Sequence, residues 1–137
     1  ALLEAGPVEI ALADTIGVGA PWQVQQTFAA LSKLAGDVPM RAHFHDTRNT
    51  GIGNAFASLL AGVATLDASI GGIGGCPFAP NASGNIATED LVYMLNRSDV
   101  AHDLAMQPLL DGAAWLEPIL GKQLPSMLSK AGDWPTC

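Results

Sequence analysis

Positive charge is scarce in this chain of 137 residues. Six Lys and Arg stand against thirteen Asp and Glu, for a net charge of −7. The six cations (Lys33, Arg41, Arg48, Arg97, Lys122 and Lys130) are scattered. A phosphate backbone needs clustered cations, so no nucleic-acid partner is expected. Cysteine is scarcer still: Cys76 and Cys137 are the only two, which makes a poor disulfide framework. A reducing, cytoplasmic setting is the default. No apolar run approaches the roughly 20 residues of a membrane span, so no membrane is expected either. The opening "ALLEAGP" shows no basic-apolar leader and no initiator Met, and it reads like the tail of a helix. We expect a piece of a longer protein. The three tryptophans, Trp22, Trp115 and Trp134, are too dispersed for a stacking platform. What is abundant is apolar surface, at 49% hydrophobic against 14% charged residues, which suits one globular domain.

Strand-like and helix-like patterns alternate. "VEIALADT", Val8 to Thr15, is an apolar run ending in an acid. In the next segment Pro21 suits a first helical turn, Gly36 the exit, and Val24, Phe28 and Leu31 recur at helical spacing. "VPMRAHFHDT", Val38 to Thr47, reads as a second strand, with Pro39 at its start where a missing N–H is tolerated. "GIGNAFASLLAGVA" reads as a closely packing helix, and "TLDASIGG" as a third strand from Thr65 to Gly72. Thr88 then reads as the N-cap of "EDLVYMLN", with Glu89 and Asp90 favourable in its first turn. A further helix is expected within Leu104 to Leu120, followed by an irregular tail. Phe28, Leu59, Leu60 and Leu91 read as core. The strand starts at Val8, Val38 and Thr65 lie 30 and 27 positions apart, the spacing of right-handed βαβ units in a parallel α/β sheet. Three strands are too few for a closed (β/α)8 barrel, which needs about 250 residues.

The chemistry-bearing residues collect at one end of that sheet. Asp14 ends the first strand, His43, His45 and Asp46 end the second, and "GGIGGCPFAPNASGN" follows the third. Ligands of parallel α/β folds bind at the carboxyl ends of the strands. Residues i and i+2 of a strand share a face, so His43 and His45 point together, about 7 Å apart, within reach of one metal ion. The alternative is two polar residues hydrogen-bonded at a strand end. By position, Asp14, Asp46 and Asn85 are further ligand candidates, and oxygen-rich completion favours Mg2+ or Mn2+ over structural zinc. Cys76 has two readings: a small apolar residue in a tight turn, or an exposed thiol on a glycine-rich lid that shuttles a proton. The same glycines lack the spacing and the Lys of a phosphate loop. Arg41 shares the parity of the histidines, two steps deeper, and a buried charge there needs a partner, for which Asp67 lies at similar depth. Arg48 reads as solvated, or as a contact for an anionic substrate.

With these residues in view, the sequence resembles the 3-hydroxy-3-methylglutaryl-CoA lyases, metal-dependent members of a (β/α)8-barrel group that also holds isopropylmalate and homocitrate synthases. The matching segments are "LADTIGVGAP", "HFHDT", "DASIGGIGGCPFAP" and "ASGNIATEDLVYML". After "HDT" the chain reads "RNTGIGN", where related lyases often carry a Tyr-Gly or Arg-Gly pair. The resemblance implies that the chain is the C-terminal portion of a TIM barrel. Residues 1–95 would be its last three βα units, strands six to eight, and residues 96–137 a helical extension of the same partial-barrel domain. It implies His43, His45 and Asn85 as ligands of Mg2+ or Mn2+, and Gly72, Gly74 and Gly75 as the flexible root of a loop. It places Cys76, Asp14 and Glu89 among the catalytic groups. The implied reaction is divalent-metal-dependent retro-Claisen cleavage of 3-hydroxy-3-methylglutaryl-CoA to acetyl-CoA and acetoacetate; the alternatives are a lyase for a longer-branched 3-hydroxyglutaryl-CoA and an inactive fragment stable only by association. A barrel portion of this kind leaves two sheet edges and an apolar interior exposed, so we expect a homo-oligomer or association with the missing N-terminal half.

Overall fold

Strand β1 runs over Ile10–Asp14, β2 over Met40–Phe44 and β3 over Thr65–Asp67 in a computed structural model that describes residues 2–75 and 84–135. All pairings are parallel, in the order β1-β2-β3, and the register sets Ala13 beside His43 and His43 beside Asp67. Helix α1 (Pro21–Ala35) crosses from β1 to β2 and helix α2 (Gly51–Leu60) from β2 to β3. Helix α3 (Thr88–Arg97) follows β3, and α4 (Met106–Leu120) and the short α5 (Leu128–Ala131) complete the described chain. The alternation expected from the sequence is present.

Pro21 occupies the first position of α1, where its missing N–H costs nothing, and Gln23 turns its side-chain oxygen back onto the Ala20 N–H. Gly36 ends the helix at φ +60°. Val24 and Phe28 point into the core against Met40, Ala42 and Phe44 of β2, with Ala55, Ile86, Leu91 and Leu95 closing it. The Phe28 and Phe44 rings meet edge to face, 6.5 Å apart. Truncating Phe28, which is almost wholly buried, would cost about 3–5 kcal/mol.

The opposite face of the sheet differs from the sequence expectation. It carries Glu9, Arg41, His43, Thr65 and Asp67 as well as the exposed Ala11 and Ala13, so it is charged at its centre rather than apolar. Several boundaries also shift. Val8 is 93% exposed and β1 begins only at Ile10. β3 stops at Asp67 and is followed by a single 3-10 turn, Ile70–Gly72, within which Gly71 adopts φ +69°. The N-cap of α3 is Ala87, with Thr88 already inside the helix. Leu60 lies on the outer face of α2 and is 64% exposed. The tail is more ordered than expected. Val92, Met106 and Leu128 form a second cluster joining α3, α4 and α5, and the Arg97 guanidinium lies 4.3 Å from the centre of the Trp134 ring. Among the described residues no helix is long and apolar enough to cross a membrane.

Candidate active site

The carboxyl ends of β1 and β2 are tied together through one imidazole. His45 is one residue beyond β2, buried, and bridged to Asn85. Its Nδ1 lies 3.0 Å from the main-chain oxygen of Asp14. A carbonyl can only accept, so Nδ1 carries the proton and the Nε2 lone pair is left available. The His43 ring stands at 74° to the His45 ring, with centroids 4.9 Å apart, so the two imidazoles share a face as the alternation required. His43 turns Nδ1 toward Asp67 Oδ2, 3.5 Å away, a weak contact that also directs Nε2 chemistry to the other side of the ring.

Asn85 adds a third donor. Its Nδ2 donates to the Ile73 main-chain oxygen at 3.1 Å, and among the described residues Oδ1 accepts no hydrogen bond. Two imidazole nitrogens and an amide oxygen suit a divalent cation that completes its shell with further oxygens. Among the described residues no group of three or more His, Cys, Asp and Glu is placed to hold a metal ion by itself.

Asp14 spends both carboxylate oxygens locally, accepting the N–H groups of Val18 at 3.0 Å and Gly19 at 2.8 Å. Those bonds shape the β1–α1 turn, and Arg48, donating to the Ile16 and Gly17 carbonyls, closes it from the other side. Asp46 accepts the first N–H of α2, from Gly51, at 2.7 Å. Burial holds its carboxyl above the ordinary value; the Gly51 bond opposes that rise and the charge of Asp90 adds to it.

The root of the glycine loop is drawn tight. Gly84 sits at φ +120° so close to the main-chain oxygens of Gly72 and Gly74 that no Cβ fits there. Gly74 and Gly75 are exposed at the start of the loop. Cys76 and Cys137 lie outside the described residues. Glu89 is fully buried and brings both carboxylate oxygens to the Gly71 N–H, at 2.9 and 3.0 Å. Its carboxylate therefore serves the loop root.

Below the histidines runs an ion network centred on Arg41. Arg41 pairs with Asp67 at 2.6 Å, as its parity suggested, and equally with Glu9 at 2.6 Å. Glu9 also accepts the Thr65 hydroxyl. Its place was legible, since Glu9 shares its parity with Ala11 and Ala13. The Arg41 hydrogen bond holds the Glu9 carboxyl below its ordinary value, and Glu9 in turn raises Arg41. Two cavities flank Asn85's side of the site. One of about 160 Å3 is lined by Asp46, Gly72, Asn85, Asp90 and Ser126; a larger one of about 570 Å3 adjoins it beneath the C-terminal tail.

A parallel βα sheet with its polar groups gathered at the strand ends is the architecture of TIM-barrel enzymes. The HMGL-like family model matches residues 1–115, and the chain belongs to that family. It is 45% identical over 126 residues to a hydroxymethylglutaryl-CoA lyase of Bacillus subtilis, covering 92% of this chain and 42% of that one. It is also 45% identical over 130 residues to the (R)-citramalyl-CoA lyase of Chloroflexus aurantiacus, covering 95% and 41%. A solved HMG-CoA lyase from Acinetobacter baumannii, in complex with coenzyme A and 3-methylmalate, superposes with a TM-score of 0.90 at 39% identity, over 98% of this chain and 46% of that one. The chain thus spans less than half the length of the relatives it matches.

Proposed function

We propose that this chain carries part of the active site of a divalent-metal-dependent carbon–carbon lyase that cleaves 3-hydroxy-3-methylglutaryl-CoA to acetyl-CoA and acetoacetate. The observation that supports it most is the ligand set: His43 and His45 stand side by side with Nδ1 of each turned away, and Asn85 lies beside them with its Nδ2 bonded to Ile73. Mg2+ or Mn2+, held by these three side chains, would polarise the hydroxyl and carbonyl oxygens of the substrate.

The chain's own residues do the rest. Asp14 fixes the tautomer of His45 through its carbonyl, and the absence of a side chain at Gly84 lets the two roots of the loop lie close together. Cys76, on that loop, is the acid of this reading. A base takes the proton of the substrate hydroxyl and the carbon–carbon bond breaks, with its electron pair passing to acetyl-CoA enolate. The thiol proton then goes to that enolate carbon. Closure of the segment carrying Cys76 over the site would keep water from the enolate.

The test is an assay of acyl-CoA cleavage by the complete gene product, with and without Mg2+ or Mn2+. Release of acetyl-CoA from 3-hydroxy-3-methylglutaryl-CoA that needs the metal and is lost in Cys76→Ala is the expected result. Metal-independent turnover, or none, would sink the proposal. The equal identity to the citramalyl-CoA lyase supports a second substrate reading, in which the same groups cleave a relative with a different branch at the hydroxylated carbon. A parallel assay on citramalyl-CoA separates the two by kcat/KM.

A further inference from the structure

The C-terminal tail crosses the loop root and is held there by one acid of α3. Asp90 collects three donors from it: the Ser126 hydroxyl at 3.0 Å, the Met127 N–H at 3.0 Å and the Leu128 N–H at 2.7 Å. Ser126 is fully buried, and its own N–H donates to the Gly71 carbonyl at 3.2 Å. Two residues earlier Leu124 is almost fully buried against Gly71, closely enough that a Cβ on Gly71 would strike it, and its N–H donates to Glu117 of α4 at 3.0 Å. From the inner side Glu89 holds the N–H of the same Gly71. One peptide unit on each side of Gly71 is thus clamped, by the tail and by α3.

That clamp reaches the site in two further contacts. Gly72 follows directly, packed against Pro125 of the tail, and the Ile73 carbonyl accepts both the Ser69 hydroxyl at 2.6 Å and the Asn85 amide at 3.1 Å. The tail and Asn85 also wall the same cavity of about 160 Å3. The geometry points to Asp90 as a positioning residue: by fastening the segment Leu124–Leu128 over Gly71, it sets the Ile73 carbonyl and so the orientation of the Asn85 side chain. The tail is then a working part of the site, although it touches neither histidine. This inference rests on the reading of Asn85 as a metal ligand for its functional consequence, and on the hydrogen bonds alone for its structural one.

The experiment compares the complete gene product with its Asp90→Asn and Ser126→Ala variants. Amide hydrogen exchange is followed in peptides spanning 69–75, 84–88 and 124–129, and Mn2+ affinity is measured by electron paramagnetic resonance titration. Asp90→Asn replaces a carboxylate oxygen that faces N–H donors with an NH2 group. It is expected to speed exchange in all three peptides and to weaken Mn2+ binding about tenfold, the low end of what loss of an outer-shell partner does. Ser126→Ala removes one of the three bonds and should shift the same readouts by less, which keeps the test available if Asp90→Asn does not fold. Faster exchange confined to 124–129, with Mn2+ affinity unchanged, overturns the inference. Absence of Mn2+ binding by the parent protein would instead defeat the metal reading, and the exchange coupling between 124–129 and 84–88 would still decide the role of the tail.

Discussion

The Nδ1–H of His45 is donated to the main-chain oxygen of Asp14 across 3.0 Å, joining the end of one strand to the end of the next. His43 has no such tie: its nearest partner, Asp67, is 3.5 Å away and its side chain is 31% exposed. The two histidines therefore differ in what they do for the fold. His45→Ala should destabilise the protein by about 1–3 kcal/mol, because it removes a buried bonded group and leaves a cavity. His43→Ala should cost about 0.5 kcal/mol, as surface changes do. Both should abolish most metal binding. Urea unfolding together with Mn2+ titration checks the pair, and equal losses of stability would contradict this division of roles.

Arg41 sits between two carboxylates that would repel each other without it. Its hydrogen bond holds Glu9 below the ordinary 4.5, so the stability Glu9 contributes is complete above that value and is lost as pH falls through its folded value. Arg41→Met should accordingly lower the melting temperature more at pH 7 than at pH 3, and should move the Glu9 titration midpoint upward in carboxyl 13C NMR. A melting temperature that does not change at pH 7 would show the network to be idle.

Period two made the histidine pair and the Arg41–Asp67 pair legible, since both follow from which residues of neighbouring strands share a face. It also held Glu9, whose parity is plain once β1 is placed. Positions decided by tertiary contact were not legible. Leu60 has the composition of a core residue, yet it falls on the side of α2 that nothing covers. Thr88 is a good cap by type, but the chain enters the helix one residue earlier because Ala87 pairs with Ser69. Glu89 and Asp90 read as first-turn charges serving their own helix. Their oxygens instead serve Gly71, 18 residues back, and the tail, 36 to 38 residues on, and no local pattern announces bonds of that range.

Gly71 and Gly121 offer a controlled comparison. Both have positive φ, +69° and +63°, but a Cβ on Gly71 meets Leu124 while one on Gly121 meets nothing within 4 Å. Gly121→Ala should cost only the left-handed backbone penalty, about 1 kcal/mol. Gly71→Ala adds overpacking against a buried neighbour, for a total of about 2–4 kcal/mol. Chemical denaturation of the two variants measures the difference directly. A gap near zero would mean that the tail yields at Leu124 without resistance.

Glu89 can be assigned to chemistry or to positioning by two substitutions. Its carboxylate is fully buried and both oxygens lie on one N–H, that of Gly71. Glu89→Gln keeps a carbonyl oxygen for that N–H while removing the group that could exchange a proton. Glu89→Ala removes the acceptor altogether and leaves the Gly71 N–H buried without a partner, at a cost of about 1–3 kcal/mol. If Glu89 acts through Gly71, the Gln variant should retain turnover within about threefold, whereas the Ala variant loses about ten- to a hundredfold, as removal of an outer-shell partner does. Proton transfer by Glu89 would produce the opposite ranking of causes, with Gln as inactive as Ala and exchange at Gly71 unchanged in the Gln variant. The hydrogen bonding favours the first outcome, because both carboxylate oxygens are already engaged by the Gly71 N–H.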